Sequence, residues 1–353
     1  MTEQVRSLSP AKTILLTGAG FTKNFGGYLA SEMWEAIFNQ TEISECEPLR
    51  SCLLQIETLN FEKAYDQILF SGKFHLNEQM IFKRALRAAY EELDSLVLQY
   101  TLSHQGFVDY VFRELIVRFR GQVEERGFLF TLNQDMFVER FFHSENFRLT
   151  LPGLNNPAWF NLNKSQSPAK EYLVTIPSDT DDIQKLKHAF SDERSESFVY
   201  VKLHGSYNWF GKHGGDVMVV GNAKTEAIEG EPLLRWYQEL FREAINEPDR
   251  KLVVIGYGFG DEHINKEIAD AIAKNGLRLY VISPMEPKSF RDILCPVHGV
   301  MERVPQNFSI QTNIWEGLAG YYCASVTDLF STAILGGGPP PRAKSLLRQL
   351  DLI

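Results

Sequence analysis

The chain has 353 residues, 44% hydrophobic and 23% charged, with a formal net charge of −9. That length can bury a sizeable core in about one to three domains, and the composition excludes a disordered chain. The negative balance argues against a nucleic-acid partner held by general electrostatics. No apolar run has the length of a membrane span, and "MTEQVRSLSP" lacks an apolar signal core, so a cytoplasmic protein without membrane contact is expected. Cys46, Cys52, Cys295 and Cys323 are few for this length, which fits a reducing compartment.

The first element is a strand over Thr13–Thr17 that runs straight into Gly18-Ala19-Gly20. A turn of small residues between a strand and a helix lets backbone N–H groups approach an anion. The dinucleotide fingerprint would place a third glycine at position 23, which is Lys23, and Phe38 stands where an acidic ribose ligand would be sought. A Rossmann dehydrogenase is therefore disfavoured. Residues 29–125 read almost wholly as helix, with segments Leu29–Asn39, Phe61–Leu69, Glu78–Leu102 and Phe107–Arg120. In the third, Ile81, Ala85, Ala88, Ala89, Leu93, Leu96 and Val97 keep helical spacing.

Further runs at Phe128–Thr131, Val199–Leu203, Leu252–Gly256 and Leu277–Ile282 are apolar along their length, as strands buried on both faces are. Residues 147–198 carry Pro152, Gly153, Pro157, Pro168 and Pro177 and read as loops with short strands. "GGGPPPR", from Gly336 to Arg342, reads as a linker before the amphipathic tail "AKSLLRQLDLI". The expected fold is α/β: a Rossmann-like, doubly wound, mostly parallel sheet. Residues 1–28 and 126–335 would form the core, 29–125 a helical insertion, and 336–353 the linker and tail.

Polar residues follow the strand ends, where open parallel sheets bind ligands. Asn133 and Asp135 follow the second strand, and His204-Gly205 follows the third. Each has a plainer account, an Asx turn for the pair and a hydrogen-bonded structural imidazole for the histidine. Gly256, Gly258 and Gly260 end the fourth strand, and Asp261 reads as an N-cap. His263 and Glu267 are an i, i+4 pair without the H-E-x-x-H pattern, and both are assigned to a solvated helix face.

In this order, Gly18-Ala19-Gly20, Thr131-Leu-Asn133-Gln-Asp135, His204-Gly205, the glycine turn at 256–260 and Val281–Pro284 resemble the sirtuin (Sir2) superfamily over residues 12–285. The Cys-x-x-Cys pairs that hold the structural zinc of sirtuin deacylases are absent. Cys295-Pro-Val-His298 has ligand spacing but no second pair nearby, so no metal is expected. The helical insertion resembles that of SIR2-like NADases of bacterial anti-phage systems, and "GAGFTKNFGG…SEMW" resembles the subunits paired with a HerA-type hexameric ATPase.

The resemblance implies an NAD hydrolase that releases nicotinamide and ADP-ribose and depletes NAD in defence by abortive infection. Asn133, His204 and Asp135 would be catalytic. Gly18, Ala19, Gly20 and Thr22 would hold the diphosphate; Gly256, Gly258, Phe259 and Ser283 would line the rest of the NAD site. NAD would be the substrate, and a homo-oligomer with a HerA-like ATPase partner would gate activity through the insertion and the tail. An NAD-dependent protein deacylase and a catalytically idle NAD- or ADP-ribose-binding module are the alternatives.

Overall fold

A computed structural model describes residues 9–56, 58–121, 125–142, 149–154, 173–192, 198–212, 214–295, 308–330 and 338–353. The main sheet has strands β1 (Thr13–Thr17), β2 (Phe128–Thr131), β3 (Leu149–Thr150), β4 (Phe198–Lys202), β5 (Lys251–Ile255), β6 (Arg278–Ser283) and β7 (Leu318–Cys323). Their order is β7-β6-β5-β1-β2-β4-β3, and every neighbouring pair is parallel. β1, β2, β4 and β5 are buried at every residue, which is why they read as mostly apolar runs.

The chain starts in the middle of the sheet at β1, builds β2 and β4 on one side, then crosses to β5 on the other. Strand order therefore reverses between β1 and β5. The crevice outside the carboxyl ends of these two strands is where such sheets bind ligands.

Helices follow β1 as expected, including Ala30–Phe38, Phe61–Phe70, Leu76–Ser103 and Gln105–Glu114, with two further short ones at Thr41–Ser44 and Glu47–Leu54. The long helix Leu76–Ser103 buries Phe82, Ala85, Leu86, Ala89, Tyr90, Leu93 and Val97. Its buried face is turned from the expected one: Ile81 and Ala88 are half-buried and Leu96 is exposed. Polar partners set that phase. The Tyr90 hydroxyl donates to Gln134 Oε1 at 3.1 Å, and Asp94 pairs with Arg140. Both partners belong to the loop and helix after β2.

Residues 147–198 depart from the expectation of loops and short strands. Among the described residues they hold a helix, Thr180–Asp192, as well as β3 and the short strand Val174–Thr175. Strand β7 was not anticipated either; it is the half-exposed edge of the sheet, with Tyr322 alone buried among its six residues.

The tail forms a helix, Pro341–Gln349, that docks on its own chain. Leu346, Leu347 and Leu350 are fully buried, the Thr13 hydroxyl donates to the Leu350 carbonyl at 2.9 Å, and Lys251 Nζ reaches the Gln349 carbonyl at 2.6 Å and the Asp351 carboxylate at 2.5 Å. The apolar stripe of Leu346, Leu347, Leu350 and Ile353, equally open in the sequence to assembly or to docking on its own domain, thus covers the amino ends of β1 and β5. Ile353 alone of its four members is exposed. Residues 336–337 of the linker lie outside the described residues, and Pro341 and Arg342 belong to the helix. Among the described residues, no helix is long and apolar enough to cross a membrane.

Candidate functional site

The two glycine turns at the switch point pack on each other. Gly18 N–H donates to the Ile255 carbonyl at 3.0 Å and Gly20 N–H to the Gly256 carbonyl at 2.9 Å. A Cβ added at Gly20 would stand 2.7 Å from Gly256 Cα, and one at Gly18 2.7 Å from Gly256 O. Glycine is required here by backbone-to-backbone contact between the turns. Phe21 N–H donates to the Gly18 carbonyl at 2.8 Å, so the N–H groups of Gly18, Gly20 and Phe21 are engaged within the protein. The turn faces outward at Ala19, which is exposed, while Gly18 and Thr22 are buried.

Asn133 sits on this turn. Its amide donates to Gly18 O at 3.1 Å and to Thr22 Oγ1 at 2.9 Å, and its backbone N–H donates to Thr131 Oγ1 at 3.1 Å. Thr131 Oγ1 in turn accepts from Thr17 Oγ1 at 2.9 Å, so the ends of β1 and β2 are tied by side chains as well as by the sheet. Asp135 is buried and accepts from Phe137 N–H at 3.0 Å, the Asx-turn geometry expected of this pair. Burial raises its carboxyl above the usual range, opposed by Lys202 and by hydrogen bonds from Phe137 and Thr22.

Beneath this loop lies a fully buried ion pair. Lys202 Nζ donates to Glu139 Oε1 at 2.7 Å and to the Asp135 carbonyl, and the Tyr200 hydroxyl donates to Glu139 Oε2 at 3.0 Å. Sequence reading missed the pair. Its signal was Lys202 itself, a lone cation inside an apolar strand that must find a partner when buried.

His204 leaves β4 and is 2% exposed. The hairpin that follows fixes it. Gly205 has φ +70°, a Cβ there would stand 2.1 Å from Val217 O, and Val219 N–H donates to the His204 carbonyl at 2.9 Å. The imidazole meets His263, Nε2 to Nε2, at 3.1 Å. His263 therefore does not belong to a solvated face. It stands in the first turn of the helix Glu262–Asn275, which follows the 256–260 turn and brings the ring up to His204. Glu267 pairs with Arg242, at 2.7 Å. Burial pushes His204 down to about 3, with Asp261 opposing and Lys224 and His263 assisting; burial also lowers His263.

Asp261 occupies the N-cap position without a side-chain cap hydrogen bond. Its carboxylate instead takes Lys224 Nζ at 2.5 Å, and the same ammonium bonds Glu62 Oε1 at 2.9 Å. Tyr257 and Asn265 hold the turn. The Tyr257 hydroxyl accepts from Asp261 N–H at 2.9 Å and donates to Asn265 Oδ1 at 2.9 Å, and Asn265 Nδ2 donates to the Phe259 carbonyl at 2.7 Å. Phe259 takes φ +56° in this turn and buries its ring against Tyr257 and Phe290. Gly256 is half-buried and Gly258 exposed. Ser283 ends β6 at the same sheet edge, where its hydroxyl accepts from Met285 N–H at 3.2 Å.

The fold thus gathers Gly18, Ala19, Gly20, Thr22, Asn133 and Asp135 on one side, with His204, Gly256 and Gly258 beside them. It adds His263, Asp261 and Lys224, which sequence reading left out. Of the Cys295 and His298 pair, His298 lies outside the described residues.

Residues 127–295 match the model of the SIR2-like domain. The match covers β2 to β6 and includes Asn133, Asp135, His204, Asp261 and His263, and it begins after the Gly18–Gly20 turn. No curated protein matches the chain.

Proposed function

We propose that the chain cleaves the nicotinamide–ribose bond of NAD with water as acceptor, releasing nicotinamide and ADP-ribose. What supports this is the convergence of Asn133, Asp135 and His204 with the Gly18–Gly20 turn at the switch point, within a chain that carries a SIR2-like domain. The scissile bond is a glycosidic bond to a good, cationic leaving group, and its loss passes through an oxocarbenium-like state. In this reading Ala19 and its neighbouring turn meet the diphosphate, Asn133 positions a ribose hydroxyl or the attacking water, and Asp135 receives the nicotinamide amide. Neutral His204 takes the proton. Because His263 faces His204 Nε2, a ribose hydroxyl that uses His204 as base takes the place of His263.

A deacylase would need an acyl-lysine groove, and the Cys-x-x-Cys pairs of the module that helps to form one are missing. Restraint of such an activity in the cell by self-assembly and by a HerA-like ATPase, in anti-phage defence, extends the proposal on the strength of the resemblance. Since the tail stripe is covered in cis, the insertion is the surface left for assembly: Phe70, Leu76 and Met80 are 65%, 73% and 50% exposed around one helix-to-helix turn.

The test is substitution. His204→Ala should abolish nicotinamide release from NAD while the chain keeps its circular dichroism; release at the parental rate would overturn the assignment. Asn133→Ala should abolish release too, and should also loosen the turn, since it removes two hydrogen bonds from its amide.

A further inference from the structure

His204, His263 and Asp261 bring two imidazole nitrogens and a carboxylate oxygen within 4.8 Å of one another. They come from two separate elements, the end of β4 and the first turn of the helix Glu262–Asn275. We propose that these three side chains form a binding site for a zinc-type divalent ion, with water as the fourth ligand.

The geometry is close to what such an ion needs. Two nitrogens on one tetrahedral zinc at ~2.0–2.1 Å stand about 3.3 Å apart; the Nε2 pair is at 3.1 Å. The carboxylate oxygen lies within 4.8 Å of both nitrogens, so it must close by no more than about 1.5 Å to complete the face.

The surroundings of the ligands match as well. Metal-binding histidines characteristically donate their other N–H to a carbonyl or carboxylate, and metal-binding carboxylates are themselves hydrogen-bonded. The Leu132 backbone beside the ring favours the charged form of His204, against burial. Asp261 is held by Lys224, and Lys224 by Glu62. One ammonium between two carboxylates leaves an excess negative charge in the half-buried cluster, which a dication offsets. Imidazole and carboxylate donors suit zinc and its neighbours over calcium or magnesium.

Occupation would take the lone pair that His204 needs as a base, so the ion would inhibit NAD cleavage; this consequence rests on the reading of His204 given above. The site itself is tested without it. The full chain, stripped with a chelator, is titrated with Co²⁺ alone and followed by visible ligand-field absorption. The expected result is an intense tetrahedral band saturating at one ion per chain and displaced by Zn²⁺. His263→Gln, a half-exposed position, should weaken binding by more than about 10-fold with unchanged circular dichroism. No tetrahedral band, or equal binding by the variant, overturns the site. Zn²⁺ should also stop nicotinamide release by the parent. Metal binding by the parent without that inhibition would leave the site standing and refute His204 as the base.

Discussion

Gly205 holds φ +70°, and a Cβ there would stand 2.1 Å from Val217 O. Alanine at this position should therefore destabilise the chain by at least ~1–2 kcal/mol in urea unfolding; an unchanged midpoint would show that the hairpin does not need the left-handed residue. Gly258 is the opposite case. Its φ lies outside the left-handed region and an added Cβ meets nothing within 4 Å. Gly258→Ala should leave stability within about 0.5 kcal/mol of the parent and weaken NAD binding, because only a ligand gives that position a reason to stay bare. Equal NAD affinity by calorimetry would remove Gly258 from the site. At this scale the sequence was legible where one residue type has one use. Gly18, Gly20 and His204-Gly205 stand out as motif residues, yet the reason for the first two is turn-to-turn contact rather than open space for phosphate. His263 was misassigned because helical spacing from Glu267 says nothing about which strand end the helix faces; only the 256–260 turn decides that.

Strands were the easiest elements to read, since burial on both faces writes itself as a mostly apolar run, and the five anticipated strands stand at the centre of the sheet. β7 and the helix Thr180–Asp192 escaped because one is a half-exposed edge and the other follows a stretch rich in proline and serine. The rotated face of Leu76–Ser103 has the same lesson: Tyr90 and Asp94 turn inward to polar partners, and apolar periodicity cannot register that. The buried charge on β4 permits a sharp prediction. Lys202→Met leaves Glu139 uncompensated in a fully buried place and should cost about 3–5 kcal/mol of stability. Adding Glu139→Gln should recover a large part of it. A single variant within about 1 kcal/mol of the parent would mean the pair does not hold the helix Phe137–Phe141 to the end of β4.

At the scale of the whole molecule, the tail and the glycine turns occupy opposite ends of the sheet: the tail seals the amino ends of β1 and β5, and the turns stand at their carboxyl ends. Removal of residues 338–353 uncovers the places of Leu346, Leu347 and Leu350, each worth about 1.5–3 kcal/mol when buried. The truncated chain should melt at a clearly lower temperature in calorimetry. A truncation that keeps the parental Tm would show that the tail is not part of the core. The most direct measurement of NAD cleavage is incubation of the purified chain with NAD, with products resolved by chromatography. Nicotinamide and ADP-ribose are expected in equal amounts, formed with no peptide present and lost in His204→Ala. NAD left intact, or nicotinamide released only when an acyl-lysine peptide is added, would contradict the proposed function.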